Sequence, residues 1–175
     1  MNHARLIPLA LLATLALQAE PPRYGVQGLV NIPIDDLKDY VDSRPGPGVG
    51  VYGTFDLGGG YVLRPRLDFT AYPEATFASV KQDATALALG GDYLYFFAER
   101  PERLYLTGGL AIVRWSFGSR TGAADTTART TKLGAAVGIG YQWNATVGTE
   151  LRLVHSSIHR TFQADAIQAG VTIRF

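Results

Sequence analysis

Three side chains near the end of the sequence have the types that nucleophilic acyl chemistry uses. His155 and Ser157 are separated by one residue, and Asp165 lies farther along the chain. Residues two apart on a β-strand point to the same face, so His155 and Ser157 share one. A hairpin that pairs Ser157 with Asp165 brings a hydroxyl, an imidazole and a carboxylate together. The simpler interpretation is that these residues form a polar strand end leaving a membrane.

Composition excludes several other chemistries. The chain has no cysteine, which removes disulfides, thiolate metal sites and cysteine nucleophiles. His155 and His159 are four apart on a predicted strand and turn, a weak spacing for metal, so neither a metal site nor a cofactor is predicted. The chain has 16 basic and 15 acidic residues, so its composition indicates no basic stripe. Nucleic acid is therefore not an expected partner.

The N-terminal segment, residues 1–19, has the pattern of a signal peptide. A positive charge at Arg5 precedes the apolar run 6–17, which is too short for a spanning helix that needs about 20 residues. Ala19 is a small residue at a plausible cleavage point. We therefore expect a signal peptide over 1–19 and one domain over 20–175.

The rest of the chain shows a period of two rather than helical periodicity. The pattern predicts strands at 24–32, 49–57, 61–72, 84–97, 103–117, 131–143, 147–157 and 166–175. The predicted links alternate between long (33–48, 73–83, 118–130, 158–165) and short (58–60, 98–102, 144–146). An even strand count with this alternation is typical of outer-membrane barrels, whose periplasmic turns are short. We expect an all-β fold, an eight-stranded antiparallel up-and-down transmembrane β-barrel, with both termini periplasmic.

Alternation also predicts which residues face lipid. From strand two onward the odd positions are apolar, whereas strand one has the opposite phase, with Val26, Val30 and Ile32 outward. Strand five is apolar on both faces, and Gly108-Gly109 is interpreted as a possible bulge that switches them. The odd set expected to face lipid there is Val113, Trp115 and Phe117, which leaves Leu104, Leu106, Leu110 and Ile112 inward.

The even positions carry the charges that would be costly in hydrocarbon. Five are positive and four are negative, so they can neutralise each other inside one lumen. Because side chains just fill an eight-stranded barrel, we expect a closed lumen rather than a wide pore. The predicted lumen charge network is Asp56, Arg64, Arg66, Asp68, Asp92, Arg114, Lys132, Glu150 and Arg152.

The first long link contains Leu37 and Val41 among several aspartates. A short amphipathic helix over the barrel mouth is one interpretation of it. We expect a solvated acidic loop instead.

The last strand alternates apolar residues and ends in Phe175. This closely resembles the terminal signal of bacterial outer-membrane proteins, and the whole predicted domain looks like a small barrel of the OmpA/OmpX/OmpW-like kind. The resemblance implies insertion by the barrel assembly machinery, which recognises the final strand, and contact with outer-membrane lipid and lipopolysaccharide.

Three functional hypotheses remain open. The first is a non-enzymatic barrel with a structural role or a surface-interaction role through its outer loops. The second is a narrow transporter or lipophilic-ligand barrel, motivated by the apolar inward set expected on strand five. The third is a lipid A deacylase, because His155-x-Ser157 is similar to the His-x-Ser pair of that family. Here Ile158 replaces the asparagine that follows the serine, and Asp165 would replace a more distant glutamate.

Overall fold

The structure is a computed structural model that describes residues 21–97, 104–122 and 124–175. The predicted signal peptide at 1–19 and the predicted short turn at 98–102 lie outside the described residues. No helix within those ranges is long and apolar enough to cross a membrane.

Eight strands in the described ranges form one closed antiparallel barrel in which each strand pairs with its neighbours in sequence. The barrel closes because β8 pairs with β1, for example through Val26 and Ile173. Closure pairs each strand on both sides and leaves no open sheet edge along the apolar band of the wall. The predicted fold class is confirmed. The strands are β1 Arg23–Ile34, β2 Gly46–Gly58, β3 Tyr61–Phe77, β4 Val80–Phe96, β5 Leu104–Thr121, β6 Ala124–Gln142, β7 Val147–His159 and β8 Phe162–Arg174.

The strands extend beyond their predicted bounds at one end of the barrel. Three of the predicted long links are tight turns: β3 and β4 meet across 78–79, β5 and β6 across 122–123, and β7 and β8 across 160–161. The prediction of long links there is wrong, because polar segments rich in threonine continue the strand pairing as far as Thr121 and Ala124. Strand pairing needs β propensity and a partner, not hydrophobicity.

The link between β1 and β2 is long, as predicted, and contains the helix α1, Asp35–Tyr40. The expected solvated acidic loop is wrong, since Leu37 and Val41 are fully buried in the barrel mouth. We call the end of the barrel with α1 and the three tight turns the helix end. The opposite end, with Arg23, Arg174 and the turns after β2 and β6, is the terminal end.

The predicted inward and outward faces are confirmed on seven strands and are wrong on β5. Odd residues such as Val49, Leu89 and Leu133 are exposed on the outer wall, and β1 has the opposite phase, as expected. On β5 the assignment is reversed. The outward residues Leu104, Leu106, Leu110 and Ile112 are 39–60% exposed, whereas Val113 and Trp115 are 5% exposed and face the lumen.

The predicted bulge at Gly108-Gly109 is absent from β5, since pairing with both neighbours runs through these glycines without a register shift. Both faces of β5 are apolar, so alternation alone could not fix its phase. The register with β4 and β6 fixes it. The lipophilic-ligand hypothesis therefore loses its original motivation, because the leucines of β5 face lipid.

Candidate functional site

A cluster of six charged side chains fills the terminal half of the lumen. We call it the charge plug: Arg64, Arg66 and Asp68 from β3, Asp92 from β4, and Glu150 and Arg152 from β7. Three positive and three negative groups are present, so the formal charge sums to zero. The side chains of all six are 10% exposed or less.

Asp92 is one centre of the charge plug. Its Oδ2 lies 2.7 Å from Arg64 Nη2, 3.0 Å from Arg152 Nη1 and 3.1 Å from Arg66 Nη1. Arg64 and Asp92 are direct cross-strand partners, whereas Arg152 reaches Asp92 from β7 across the lumen. Arg66 is also paired with Asp68. A single carboxylate therefore holds three guanidinium groups together.

Glu150 is the other centre. Its Oε2 lies 2.7 Å from Arg64 Nη2, and its Oε1 lies 2.9 Å from Arg152 Nε. Tyr105 donates a hydrogen bond from its hydroxyl to Glu150 Oε2 at 2.9 Å. Tyr105 also packs with Val62, Leu94 and Phe96 in an apolar cluster beneath the plug at the terminal end. Charge-assisted bonds in such a desolvated place are stronger than those in water.

Neutral polar side chains continue the network toward the helix end. Arg152 donates to Gln168 Oε1, and Gln168 Nε2 donates to Asn31 Oδ1 at 2.7 Å. Asn31 Nδ2 in turn donates to Thr70 Oγ1 at 3.0 Å. The sequence reasoning missed Asn31, Gln168 and Tyr105, although each occupies an inward position of its strand. Each could have been found as a side chain that can form hydrogen bonds and that lies at an inward position of its strand.

Three residues of the predicted charge network lie elsewhere. Asp56 is exposed at the β2–β3 turn, where its Oδ1 accepts a hydrogen bond from the Gly58 backbone N–H at 2.8 Å. Arg114 is exposed on the outer wall because the phase of β5 is reversed, so its placement in the lumen is wrong. Lys132 is half-buried and makes no salt bridge to the plug within the described ranges.

The helix end of the lumen is apolar. Leu37 and Val41 of the α1 segment pack against Tyr72, Val113 and Trp115 in one buried cluster. Trp115 Nε1 donates to Ser156 Oγ at 3.3 Å. Asp35, the first residue of the helix, and Asp42 and Ser43 after it have φ values of 50–58°, so the backbone at both ends of α1 is strained.

Tyr40 anchors the C-terminal end of α1. Its ring packs edge-on against Phe117 and Phe162, and its hydroxyl donates to the Gly118 carbonyl at 2.9 Å. Partial burial raises the pKa of Tyr40 above its usual value, and the negative charge of Asp83 raises it further. The neutral phenol is therefore the form that suits the docked helix.

A cavity of about 70 Å³ lies between the charge plug and the apolar cluster under α1. Its walls include Tyr72, Val113, Trp115 and Val154, and Ser156 also lines it. Its floor is the plug and the polar network, namely Arg66, Asp68, Asp92, Arg152, Asn31 and Gln168.

The candidate catalytic residues lie on the outer wall near the helix end. His155 Nδ1 and Asp165 Oδ1 are 2.6 Å apart, and the two residues are direct partners across β7 and β8. The expected pairing of Ser157 with Asp165 is wrong, since Ser157 pairs with Gln163. The shift is two residues, so all three side chains still share one face. No hydrogen bond joins Ser157 to His155 among the described residues.

In the described ranges no group of three histidine or acidic side chains is placed to hold an ion. His159 is the last residue of β7 and pairs with Phe162, and its Nδ1 is 3.3 Å from Thr161 Oγ1.

Solved structures with a similar fold are small barrels of bacterial outer membranes. The attachment invasion locus protein Ail of Yersinia pestis has a TM-score of 0.65 at 10% identity, over 88% of this chain and 97% of that one. The N-terminal β-barrel domain of Pseudomonas aeruginosa OprF gives 0.63 at 11% identity, over 90% and 100%. Neisserial surface protein A gives 0.59 at 15% identity, over 90% and 99%.

At these identities the solved structures establish the fold alone. A comparison with curated protein sequences finds no match. The family model described as outer membrane protein beta-barrel domain matches residues 4–175, which is nearly the whole sequence. With the closed barrel and its exposed apolar wall, this match identifies the chain as a member of the outer membrane protein β-barrel domain family.

Proposed function

We propose that the protein is a closed, non-enzymatic outer-membrane barrel with a structural and surface-interaction role. The observation that carries this proposal is the charge plug. Asp92 and Glu150 together bridge Arg64, Arg66 and Arg152 across the lumen, and we infer that this network closes the terminal half to water and ions. Opening a path would require separating buried opposite charges, which typically costs several kcal/mol.

Planar-bilayer recording tests the closed lumen. The refolded protein is expected to insert without producing discrete current steps in 1 M KCl. The matched variant Asp92→Ala removes the carboxylate that joins β3, β4 and β7, and is expected to admit small ion currents. Discrete steps from the wild-type protein would overturn the proposal in favour of a transport function.

The helix end is proposed to face outward, with both termini in the periplasm. The long link between β1 and β2, with α1, lies at the helix end, and the β3–β4 and β5–β6 hairpins project there, whereas the terminal end has no long link among the described residues. Outer-membrane barrels place their short turns in the periplasm. Because the chain has no cysteine, single cysteines can report the orientation. Thr127→Cys should react with an impermeant maleimide in intact cells, and Ala145→Cys should react only after the outer membrane is permeabilised.

Lipopolysaccharide is the proposed partner of the outer wall. Arg114 is the first polar outward residue after Ile112 on β5, and Arg129 follows on β6, with both side chains exposed. Arg114 pairs with Thr131 and Arg129 with Ser116, so the two arginines share one face of the hairpin. Guanidinium groups at the edge of an apolar band suit the phosphates of a lipid headgroup. The projecting β5–β6 hairpin takes the place of the predicted outer loop.

The barrel assembly machinery is the proposed partner during insertion. Phe175 is exposed at the terminal end, and its backbone N–H donates to the Tyr24 carbonyl at 2.9 Å, which joins the chain end to β1. Deleting Phe175 should lower the amount of protein in the outer membrane severalfold in cells. The deletion variant should still refold in detergent, which separates recognition from stability. Equal membrane levels would contradict this role.

A second function is favoured by one specific contact. The hydrogen bond between Asp165 and His155 Nδ1 directs the other imidazole nitrogen away from the carboxylate, as a general base requires. Ser157 shares that face two residues beyond His155, and Leu153 is the last apolar outward residue before them. The second proposal is that these residues cleave an ester at the boundary between lipid chains and headgroups, once Ser157 comes within hydrogen-bond distance of His155.

Lipid A acylation tests the hydrolase. If the enzyme exists, cells that produce the wild-type protein lose an acyl chain from lipid A, and Ser157→Ala cells keep it. Ser119→Ala, on β5 of the same end, serves as the matched control and should behave as wild type. Identical acylation profiles with the wild-type protein and Ser157→Ala would end the enzyme hypothesis.

A further inference from the structure

The wall of the barrel opens between β6 and β7 at the helix end. Pairing of these strands stops at Gly134 and Ser156, although β6 continues to Ala124 and β7 to His159. On its other side β6 remains paired with β5 as far as Ala124. We call this unpaired stretch of wall the seam. An unpaired backbone is tolerated there because the outward residues past Leu133 and Leu153 are polar, so the seam lies outside the hydrocarbon.

Two apolar spaces lie beside the seam. The last paired residues below it, Gly134 and Ser156, line the cavity above the charge plug. Above it lies a second hollow at the mouth, lined by Tyr40, Phe117 and Ile158 together with polar residues of β5 and β6. Phe117 and Ile158 are half-buried and pack against the cluster under α1. Phe117 of the hollow stacks on Trp115 of the cavity with 5.5 Å between the ring centroids, so the two spaces are neighbours inside the barrel.

The charge of the cavity floor limits the charge of a molecule that can bind there. Arg66 and Arg152 are matched there by Asp68 and Asp92, so the floor has no net charge. An ion brought into this space would lose its hydration without gaining a counter-ion. A neutral molecule avoids that cost and can exchange hydrogen bonds with Ser156 or Thr70.

The size of the cavity sets a second limit. One water-sized position takes roughly 10–15 Å³ of such a volume, so about 70 Å³ corresponds to roughly five to seven small groups. Tyr72, Val113 and Val154 offer apolar surface to most of them. We propose that the cavity binds a small neutral amphiphile, with an apolar body and one hydroxyl or carbonyl end, which enters from the membrane boundary through the seam.

Tryptophan quenching tests the binding site, with 3-bromopropan-1-ol as the probe. The chain has two tryptophans: Trp115 lines the cavity, and Trp143 is exposed near the terminal end. The variant Trp143→Phe keeps only Trp115, so its fluorescence reports probe bound in the cavity. The variant Trp115→Phe keeps only Trp143, so its fluorescence reports partition of the probe into detergent. Quenching of Trp115 should saturate, whereas quenching of Trp143 should rise linearly.

A matched pair of substitutions distinguishes the cavity from the surrounding detergent. Both are made in the Trp143→Phe background. Ala88→Leu fills the cavity and should raise the half-saturating concentration at least tenfold, whereas Ala169→Leu, on the outer wall of β8, should leave it unchanged. Should Ala88→Leu not fold, Ser156→Ala should still weaken binding severalfold. Linear quenching of Trp115 would mean a cavity that holds only water, and would overturn the proposal.

The route is tested on one further variant, with Lys132→Cys and Ile158→Cys placed in the first inward positions past the last rung. Joining the two cysteines with a reducible crosslinker closes the seam. Stopped-flow quenching of Trp115 should then slow at least tenfold and recover after reduction. Equal rates with and without the crosslink would place the entrance at α1 instead and contradict entry through the seam.

Discussion

The two halves of the lumen are filled by opposite means. At the terminal end, six buried charges and Tyr105 form a network in which Asp92 alone contacts three arginines. At the helix end, Leu37 and Val41 cover an apolar cluster, and a cavity lies beneath them. Both halves are enclosed by the same strands with the same alternation. The difference comes from the side chains on the inward positions.

The difference has consequences for mechanics. A network of buried ion pairs is specific in geometry, because each group left unpaired costs the desolvation of a charge. An apolar cluster under a short helix tolerates rearrangement, since its contacts are non-directional. In the proposed function the terminal half is the rigid seal, and in the proposed binding site the helix half is the part of the lumen that admits a molecule.

The largest effect on stability is expected from disrupting the charge plug. Asp92→Ala leaves Arg64, Arg66 and Arg152 without their shared carboxylate. Removing one partner of a buried ion pair typically costs about 3–5 kcal/mol of folding free energy. Urea unfolding in phospholipid vesicles, followed by tryptophan fluorescence, measures it. The control Asp125→Ala removes an exposed partner of Arg120 and should cost about 1 kcal/mol or less. Equal costs would mean that the plug is not a buried network.

A smaller and more local effect is expected at the helix end. Leu37 is fully buried, so Leu37→Ala should lower the free energy of docking α1 by about 2–5 kcal/mol. Because α1 lies outside the sheet, global unfolding should change much less than docking. Cleavage of the 35–45 segment by subtilisin should become about tenfold faster or more. Lys38→Ala, at an exposed position of the same helix, is the control, and equal cleavage rates would argue against α1 as a packed cover.

Close packing of Tyr105 against the wall gives a third test. A Cβ at Gly140 would collide with the ring of Tyr105, whose hydroxyl donates to Glu150. Gly140→Ala should therefore displace the ring and cost about 1–3 kcal/mol, as other overpacked sites do. Gly28→Ala is the matched control, since nothing lies within 4 Å of a Cβ there. The same urea series measures both variants. A neutral Gly140→Ala would show that the ring is not wedged beside the plug.

More of the charge plug than of the helix half could be predicted from the sequence. The even phase of β3, β4 and β7 placed Arg64, Asp92 and Glu150 on inward positions, because charges on the lipid face are costly. Which of these charges meet across the lumen depends on how the closed barrel staggers its strands. Arg64 and Glu150 are 86 positions apart in the sequence, so no local sequence pattern can predict that they are paired.

The helix half resisted prediction for two physical reasons. On β5 both faces are apolar, so only pairing with β4 and β6 decides that Trp115 points inward. In the α1 segment, Leu37 and Val41 have helical spacing, but the aspartates around them favour solvent. Docking is secured by distant partners, such as Asp36 Oδ2, which accepts from the Gln163 backbone N–H at 2.8 Å. Such tertiary contacts override local propensity.

The smallest effect concerns the pH range over which the helix half stays covered. In the docked state the pKa of Tyr40 is raised, first by burial and then by Asp83, so the neutral phenol is favoured. Its contribution to docking is complete below the usual pKa of about 10 and is lost as the pH rises through the raised value. Subtilisin cleavage of the 35–45 segment should therefore accelerate above about pH 10.

Tyr40→Phe separates the hydroxyl from the ring in this test. At neutral pH the variant loses the bond to the Gly118 carbonyl, which should weaken docking by about 0.5–1.5 kcal/mol. Above pH 10 its cleavage rate should show no further dependence on phenol ionisation. Tyr24→Phe, at an exposed position of the terminal end, should keep the wild-type pH profile. Were Tyr40→Phe to accelerate with pH as the wild type does, the opening of the helix half would depend on another group.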